Sequence, residues 1–264
     1  MDKTSVVGLF LGFFGVGLGM VMKGVSVTAL ANPAALLIII VGTIATILIG
    51  FPEKDIKRVP KLFGILFTDK KTADPVELIR MFSDWAQLAR KEGLLALEGK
   101  TNEIDDLFLK NGLSLAVDGQ SSDYIRDVLS EEIEAMEERH QSGASIFTQA
   151  GTYAPTLGVL GAVVGLIAAL GDMSDIDALG HAISAAFVAT LLGIFTGYVL
   201  WHPFANKLRV KAKQEAKIKY MMIEGILSIL AGEAPKSIEQ KLASFLTAGE
   251  RVRFFSESSV STNE

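Results

Sequence analysis

The sequence contains no cysteine and only three histidines. Disulfide bracing is thereby excluded, and three scattered histidines without a thiol do not compose a zinc-type ligand set. A basic excess is missing too: 25 Lys and Arg stand against 30 Asp and Glu, for a net charge of -5, so the electrostatic footprint of a nucleic-acid binder is absent. There is no phosphate-cradling glycine loop, no nucleophile elbow and no metal-spaced histidine pair, so the chain reads as a non-enzyme with no cofactor and no metal. The most informative absence is positional. Charged residues make up 21% of the chain, yet four long stretches contain none of them.

Those stretches run from Ser5 to Met22, Pro33 to Phe51, Tyr153 to Leu170 and Ala182 to Trp201. About 20 apolar residues rising 1.5 Å each cross a hydrocarbon core of about 30 Å, so each is long enough to be a transmembrane helix. A mean hydropathy of +0.39 beside so much charge fits membrane spans joined to a water-exposed part. Met1-Asp2-Lys3 has too weak a charge for a signal peptide, and the apolar run to Met22 is long, so it reads as a retained helix.

Orientation follows from the cations. Lys54, Lys57, Arg58 and Lys61 follow the second span, Arg139 precedes the third, and Lys207, Arg209, Lys211 and Lys213 follow the fourth. The links Lys23 to Asn32 and Gly171 to Gly180, the latter with Asp172, Asp175 and Asp177, lack that clustering. The positive-inside rule puts both termini and the long central segment in the cytoplasm. The expected organisation is an all-α integral membrane protein: spans one and two in 1–52, a helical cytoplasmic domain in 53–150, spans three and four in 151–203, and a C-terminal cytoplasmic helix and tail in 204–264.

Within the cytoplasmic part, Asp74-Pro75-Val76-Glu77 is a helix start, with an acid at the cap and proline at the first turn. The apolar spacing continues through Ile79, Phe82, Ala86 and Ala89. Val59 to Phe67 mixes an apolar face with cations beside a span, which suits an interfacial helix; burial in the cytoplasmic fold is the competing reading. Ser121 or Ser122 caps a helix that runs nearly continuously into the third span, and Asn206 to Leu230 extends the fourth. The spans are rich in small residues, among them Gly8, Gly12, Gly15 and Gly19 in the first and Gly158, Gly161 and Gly165 in the third, the usual packing device in lipid.

An ion pathway normally carries an ionisable group inside the membrane. Here the polar groups are hydroxyls, at Thr43, Thr46, Thr152, Thr156, Ser184, Thr190 and Thr196, which hold no proton charge at neutral pH. Any ion flow therefore needs a carboxylate brought by a partner. Back-bonding to the preceding turn is the alternative role for each threonine.

Three segments carry a family resemblance. Trp85-Ala86-Gln87-Leu88-Ala89-Arg90-Lys91-Glu92-Gly93-Leu94-Leu95-Ala96-Leu97-Glu98 resembles the cytoplasmic signature of MotA flagellar stator subunits. Gly151-Thr152-Tyr153-Ala154-Pro155-Thr156-Leu157-Gly158-Val159-Leu160-Gly161 is similar to the third span of the MotA, TolQ and ExbB superfamily, and His181 to Gly193 followed by Trp201-His202-Pro203 to its fourth. The resemblance implies a ring of five subunits around two copies of a MotB-type partner whose membrane Asp carries the ion. The ion would be a proton, with sodium as the alternative, and the ring's rim would drive the rotor protein FliG from the bacterial inner membrane. It further implies rotor contact for Arg90 and Glu98. Thr190 becomes the hydroxyl facing the partner's Asp, with Thr156 also on the ion path, and Pro155 and Pro203 serve the conformational cycle. Pro155 as a passive helix start, an ExbB or TolQ-like energiser of outer-membrane processes, and a non-conducting scaffold are the competing expectations.

Overall fold

The computed structural model describes residues 2–68, 73–101, 103–171 and 176–260. Among them every regular element is helical and no strand occurs. Helix α1 (Lys3–Met22) and α2 (Pro33–Gly50) are the first two spans, and α3 (Glu53–Ile56) and α4 (Val59–Phe67) follow. Next come α5 (Pro75–Glu92), α6 (Glu98–Thr101) and α7 (Leu107–Val117). Helix α8 (Ser122–Leu170) is unbroken over 49 residues, more than twice what a bilayer core needs. Helix α9 (Ile176–Phe195) passes through a π-helical segment, Thr196–Trp201, into α10 (His202–Leu230), and α11 (Pro235–Leu242) and α12 (Ala248–Val260) complete the chain. Four helical stretches are apolar and long enough to cross a membrane, in agreement with the four predicted spans. Asp172 and Asp175 of the third-to-fourth link lie outside the described residues.

The caps follow their sequence signals. Asp74 accepts from the Val76 N–H at 2.9 Å, and Ser121 Oγ accepts from Tyr124 N–H at 3.3 Å, so Ser121 caps α8. Asn32 accepts from Ala35 N–H at 3.1 Å ahead of Pro33, the first residue of α2. Such caps satisfy donors that a helix start would otherwise leave orphaned.

The chain folds as two compact units. The first comprises 1–70 and 139–211, the second 71–138 and 212–264. In the first, α4 buries Leu62 and Leu66 among Ala144, Phe147, Ala205 and Leu208, so its apolar face packs within the unit that holds the spans. Phe63 lies edge-on to Phe147 with ring centroids 5.2 Å apart, and Trp201 and Phe204 join the cluster. In the second unit, Ile79, Phe82, Leu113, Ile125, Leu129, Ile133 and Ile226 form a water-excluded aliphatic and aromatic core. Helix α12 lies in the segment expected to be the C-terminal tail. It buries Phe254 and pairs Glu257 with Arg80 at 3.1 Å.

Candidate functional site

The third and fourth spans meet along a seam of small residues. At Gly158 an added Cβ would lie 2.8 Å from the Ala189 carbonyl oxygen and 2.9 Å from Gly193 Cα. At Gly193 it would lie 2.7 Å from the Ala154 oxygen and 2.8 Å from Gly158 Cα. Backbone meets backbone here, and no side chain larger than hydrogen fits at either position. Ala162, Ala186 and Ala189 extend the seam as buried small residues.

Just past the seam the fourth span widens into the π-helical segment Thr196–Trp201. Pro203 follows two residues later and has no N–H to give the carbonyl four residues back, so the ordinary register cannot be maintained through it. The wider turn absorbs that mismatch, as single π turns inside α-helices do. Pro155 of the third span packs on this turn: a Cβ at Gly197 would lie 2.7 Å from Pro155 Cγ and 2.8 Å from the Gly151 oxygen. Pro155 lies well inside α8 and is no helix start, which corrects that alternative. The structure thus joins Pro155 to the segment that leads into Pro203, while Pro203 itself is exposed.

The threonines divide. Thr190 Oγ1 donates to the Ala186 oxygen at 3.2 Å and is half-buried; Thr156 Oγ1 donates to the Thr152 oxygen at 3.5 Å and is exposed. Thr148, Thr152 and Thr196 likewise donate to carbonyls one turn back, at 3.2, 3.0 and 2.9 Å. Back-bonding, the alternative weighed from sequence, is therefore present at Thr152, Thr156, Thr190 and Thr196. It leaves each oxygen's lone pairs able to accept from a further donor. Among the described threonines, Thr43 is the one buried without a partner.

Arg90 sits in the last turn of α5 and Glu98 opens α6, both exposed. Gly93 between them turns the chain with φ of 86°. Among the described residues neither charge enters an ion pair, so both are available to an outside partner.

One charged cluster escaped the sequence reading. Asp2 pairs with Lys207 at 2.7 Å and Lys211 at 3.2 Å, and its side chain caps α1. Lys211 also donates to the Ile65 and Thr68 oxygens at 2.8 and 2.9 Å, closing the C-terminus of α4. The Lys207 hydrogen bond, helped by Thr4, holds the Asp2 carboxyl far below the usual carboxylate range. The only sequence signal was an acid placed to cap the first helix; its lysine partners lie some two hundred residues away.

A four-span helical membrane protein whose spans hold hydroxyls and close glycine contacts, but no internal carboxylate, is the class this geometry defines. Comparison with known proteins specifies it further. Residues 100–221 match the MotA/TolQ/ExbB proton channel family. The chain is 65% identical over 264 residues to motility protein A of Bacillus subtilis (strain 168), covering 100% of this chain and 98% of that one. It is 34% identical over 251 residues to chemotaxis protein PomA of Vibrio alginolyticus, covering 95% and 98% of the two chains. The flagellar MotAB stator complex from Bacillus subtilis superposes with a TM-score of 0.92 at 67% identity, covering 96% of this chain and 99% of that one. The C. jejuni MotAB structure does so with a TM-score of 0.90 at 31% identity, covering 94% and 97%. The chain belongs to the MotA/TolQ/ExbB proton channel family, and within it to the motility protein A branch.

Proposed function

We propose that the chain is the stator subunit of a bacterial flagellar motor, forming with a MotB-type partner an ion channel that converts ion flow into torque on the rotor protein FliG. The observation that carries this reading is the full-length likeness to motility protein A and to a MotAB stator structure. The spans fit it: they lack an ionisable group, so the ion-carrying carboxylate has to come from the partner. Relatives named as motility protein A and as PomA disfavour the ExbB or TolQ-like energiser and the inert scaffold, and the family is one of channels and stators rather than enzymes.

Five copies surround two partner helices in the bacterial inner membrane, with both termini in the cytoplasm. The cation clusters after spans two and four support that topology. A cysteine-free chain allows a direct test, since a single cysteine at Lys110 reacts with an impermeant maleimide only after the inner membrane is opened. The translocated ion is a proton, in keeping with the family description; swimming should then persist without sodium and stop with a protonophore.

Thr190 lends its oxygen to the ion's ligands and Thr156 lines the same path. Pro155 and Pro203 flank the π-helical segment that changes between arrangements as the partner's Asp gains and loses its charge. Arg90 and Glu98 engage the rotor through exposed pairs that form and break easily, since such contacts are worth only about 0 to 1 kcal/mol each. The test is deletion of the gene followed by rescue. Normal filaments on non-swimming cells, restored by the native gene and poorly by Arg90→Glu, support the reading. Intact swimming in cells that lack any second stator set rejects it.

A further inference from the structure

A cavity of about 320 Å³ opens in the first unit, bounded by α2, α4, the α8 segment around Phe147 and the π-helical segment. Its volume lies within the range of small-molecule sites, about 300–1,000 Å³. Phe63, Phe147 and Trp201 form its walls, and among the described residues no ionisable side chain lines it. Ile40 and Leu48 on its rim are exposed on α2, one of the apolar spans, so in the single chain the cavity opens sideways at membrane depth.

One polar group breaks the apolar lining. Thr43 is 4% exposed, lines the cavity, and its hydroxyl has no hydrogen-bond partner. The hydroxyls of Thr148, Thr152, Thr156, Thr190 and Thr196 all bond a carbonyl on the preceding turn. A buried donor left unmet is destabilising, and native interiors rarely tolerate one. An apolar cavity with a single unpaired hydroxyl has the form of a site in which hydrocarbon supplies contact area and one polar atom fixes orientation.

We propose that this cavity binds a neutral, membrane-dissolved amphiphile: a hydrocarbon body with one oxygen that accepts a hydrogen bond from the Thr43 hydroxyl. The absence of ionisable lining excludes a charged headgroup inside, because an unpaired ion there would be uncompensated. At about 30 Å³ per water-sized group, the cavity holds roughly ten such groups, the bulk of a medium-chain alcohol and less than a whole phospholipid. The occupant borders Thr196 and Trp201, the two ends of the π-helical segment.

The test uses the complex with its co-purified partner in lipid nanodiscs and a diazirine-bearing n-decanol as probe. Light-dependent labelling should be saturable, map to Thr43 and Phe147, and be competed by n-decanol about tenfold better than by n-decane, the value of one hydrogen bond. Thr43→Val should remove that tenfold preference while leaving n-decane competition unchanged. Ala150→Leu, which fills the cavity from its wall, should abolish labelling. Labelling spread over open lipid-facing positions such as Phe10, an undiminished alcohol preference in Thr43→Val, or protection of the cavity by a neighbouring subunit would each overturn the proposal. Because the readout is label position rather than swimming, its failure leaves the stator reading untouched.

Discussion

The spans and the unit outside them obey opposite packing rules. In the unit outside the spans, large side chains go inward: Phe82, Phe108, Leu113, Ile125 and Ile226 are shielded from solvent almost completely. Along the spans of the other unit, large side chains such as Phe10, Phe13, Leu37, Ile44 and Phe187 are exposed while Ala35, Ala162, Ala186 and Ala189 are buried; large buried residues of that unit, such as Leu66 and Phe147, lie around α4. The same apolar residue types are used in both, so the difference lies in the solvent. Water rewards burial of apolar area, whereas lipid tails solvate a leucine as well as another leucine does, which leaves close backbone contact as the source of cohesion.

That contrast breaks first at the glycine seam. Gly193→Leu drives a side chain into the backbone of the third span, and the expected outcome is loss of folded protein from the membrane fraction and of swimming. Gly8→Leu in the first span has open space around it within the chain. It should be tolerated unless a neighbouring subunit packs there, so its failure would place an intersubunit contact on that face.

The water-excluded core offers the next largest effect. Phe82→Ala should cost about 3–5 kcal/mol and lower the melting temperature of the purified complex, followed by tryptophan fluorescence through Trp85, which stacks edge-on to Phe82. The equivalent truncation on the lipid face, Phe10→Ala, should move that melt far less.

A smaller effect belongs to the Asp2 pairing. Asp2→Asn should cost about 1–3 kcal/mol by leaving Lys207 and Lys211 less compensated. Since the folded carboxyl is held below its ordinary value of 3.8, its stabilisation is complete above that pH and declines as pH falls below it. The difference in melting temperature between native and Asp2→Asn proteins should therefore hold from neutral pH down to about 3.8 and shrink as pH falls below it.

The smallest stability effect is expected at the rim, where Arg90→Glu should leave the melt unchanged within about 0.5 kcal/mol while impairing swimming. Equal loss of both would mark Arg90 as structural.

Much of the fold was legible along the chain because its signals are local. A charge-free run of the right length, a Ser, Asp or Asn cap and a proline at the first turn act within a few residues, so the spans, α5 and the start of α8 fell where expected. The end of the chain was harder: α12 has a weak apolar pattern, and the buried Phe254, the Arg80–Glu257 pair and the reciprocal Thr247–Glu250 cap show what holds it. Site residues were legible in part. Arg90 and Glu98 are exposed and unpaired, as a contact with an outside partner requires, yet nothing in the local pattern revealed that Pro155 would seat on Gly197.

By itself the sequence determined the number of spans, their lack of any carboxylate and hence the dependence on a partner, since these follow from composition and length against a fixed bilayer thickness. Tertiary structure alone decided which glycines touch, that Asp2 meets Lys207 and Lys211, and that the Thr43 hydroxyl is left without a partner. Each of those facts depends on atoms far apart in the chain arriving within about 3 Å of one another, or failing to, and no periodicity encodes a distance of that kind.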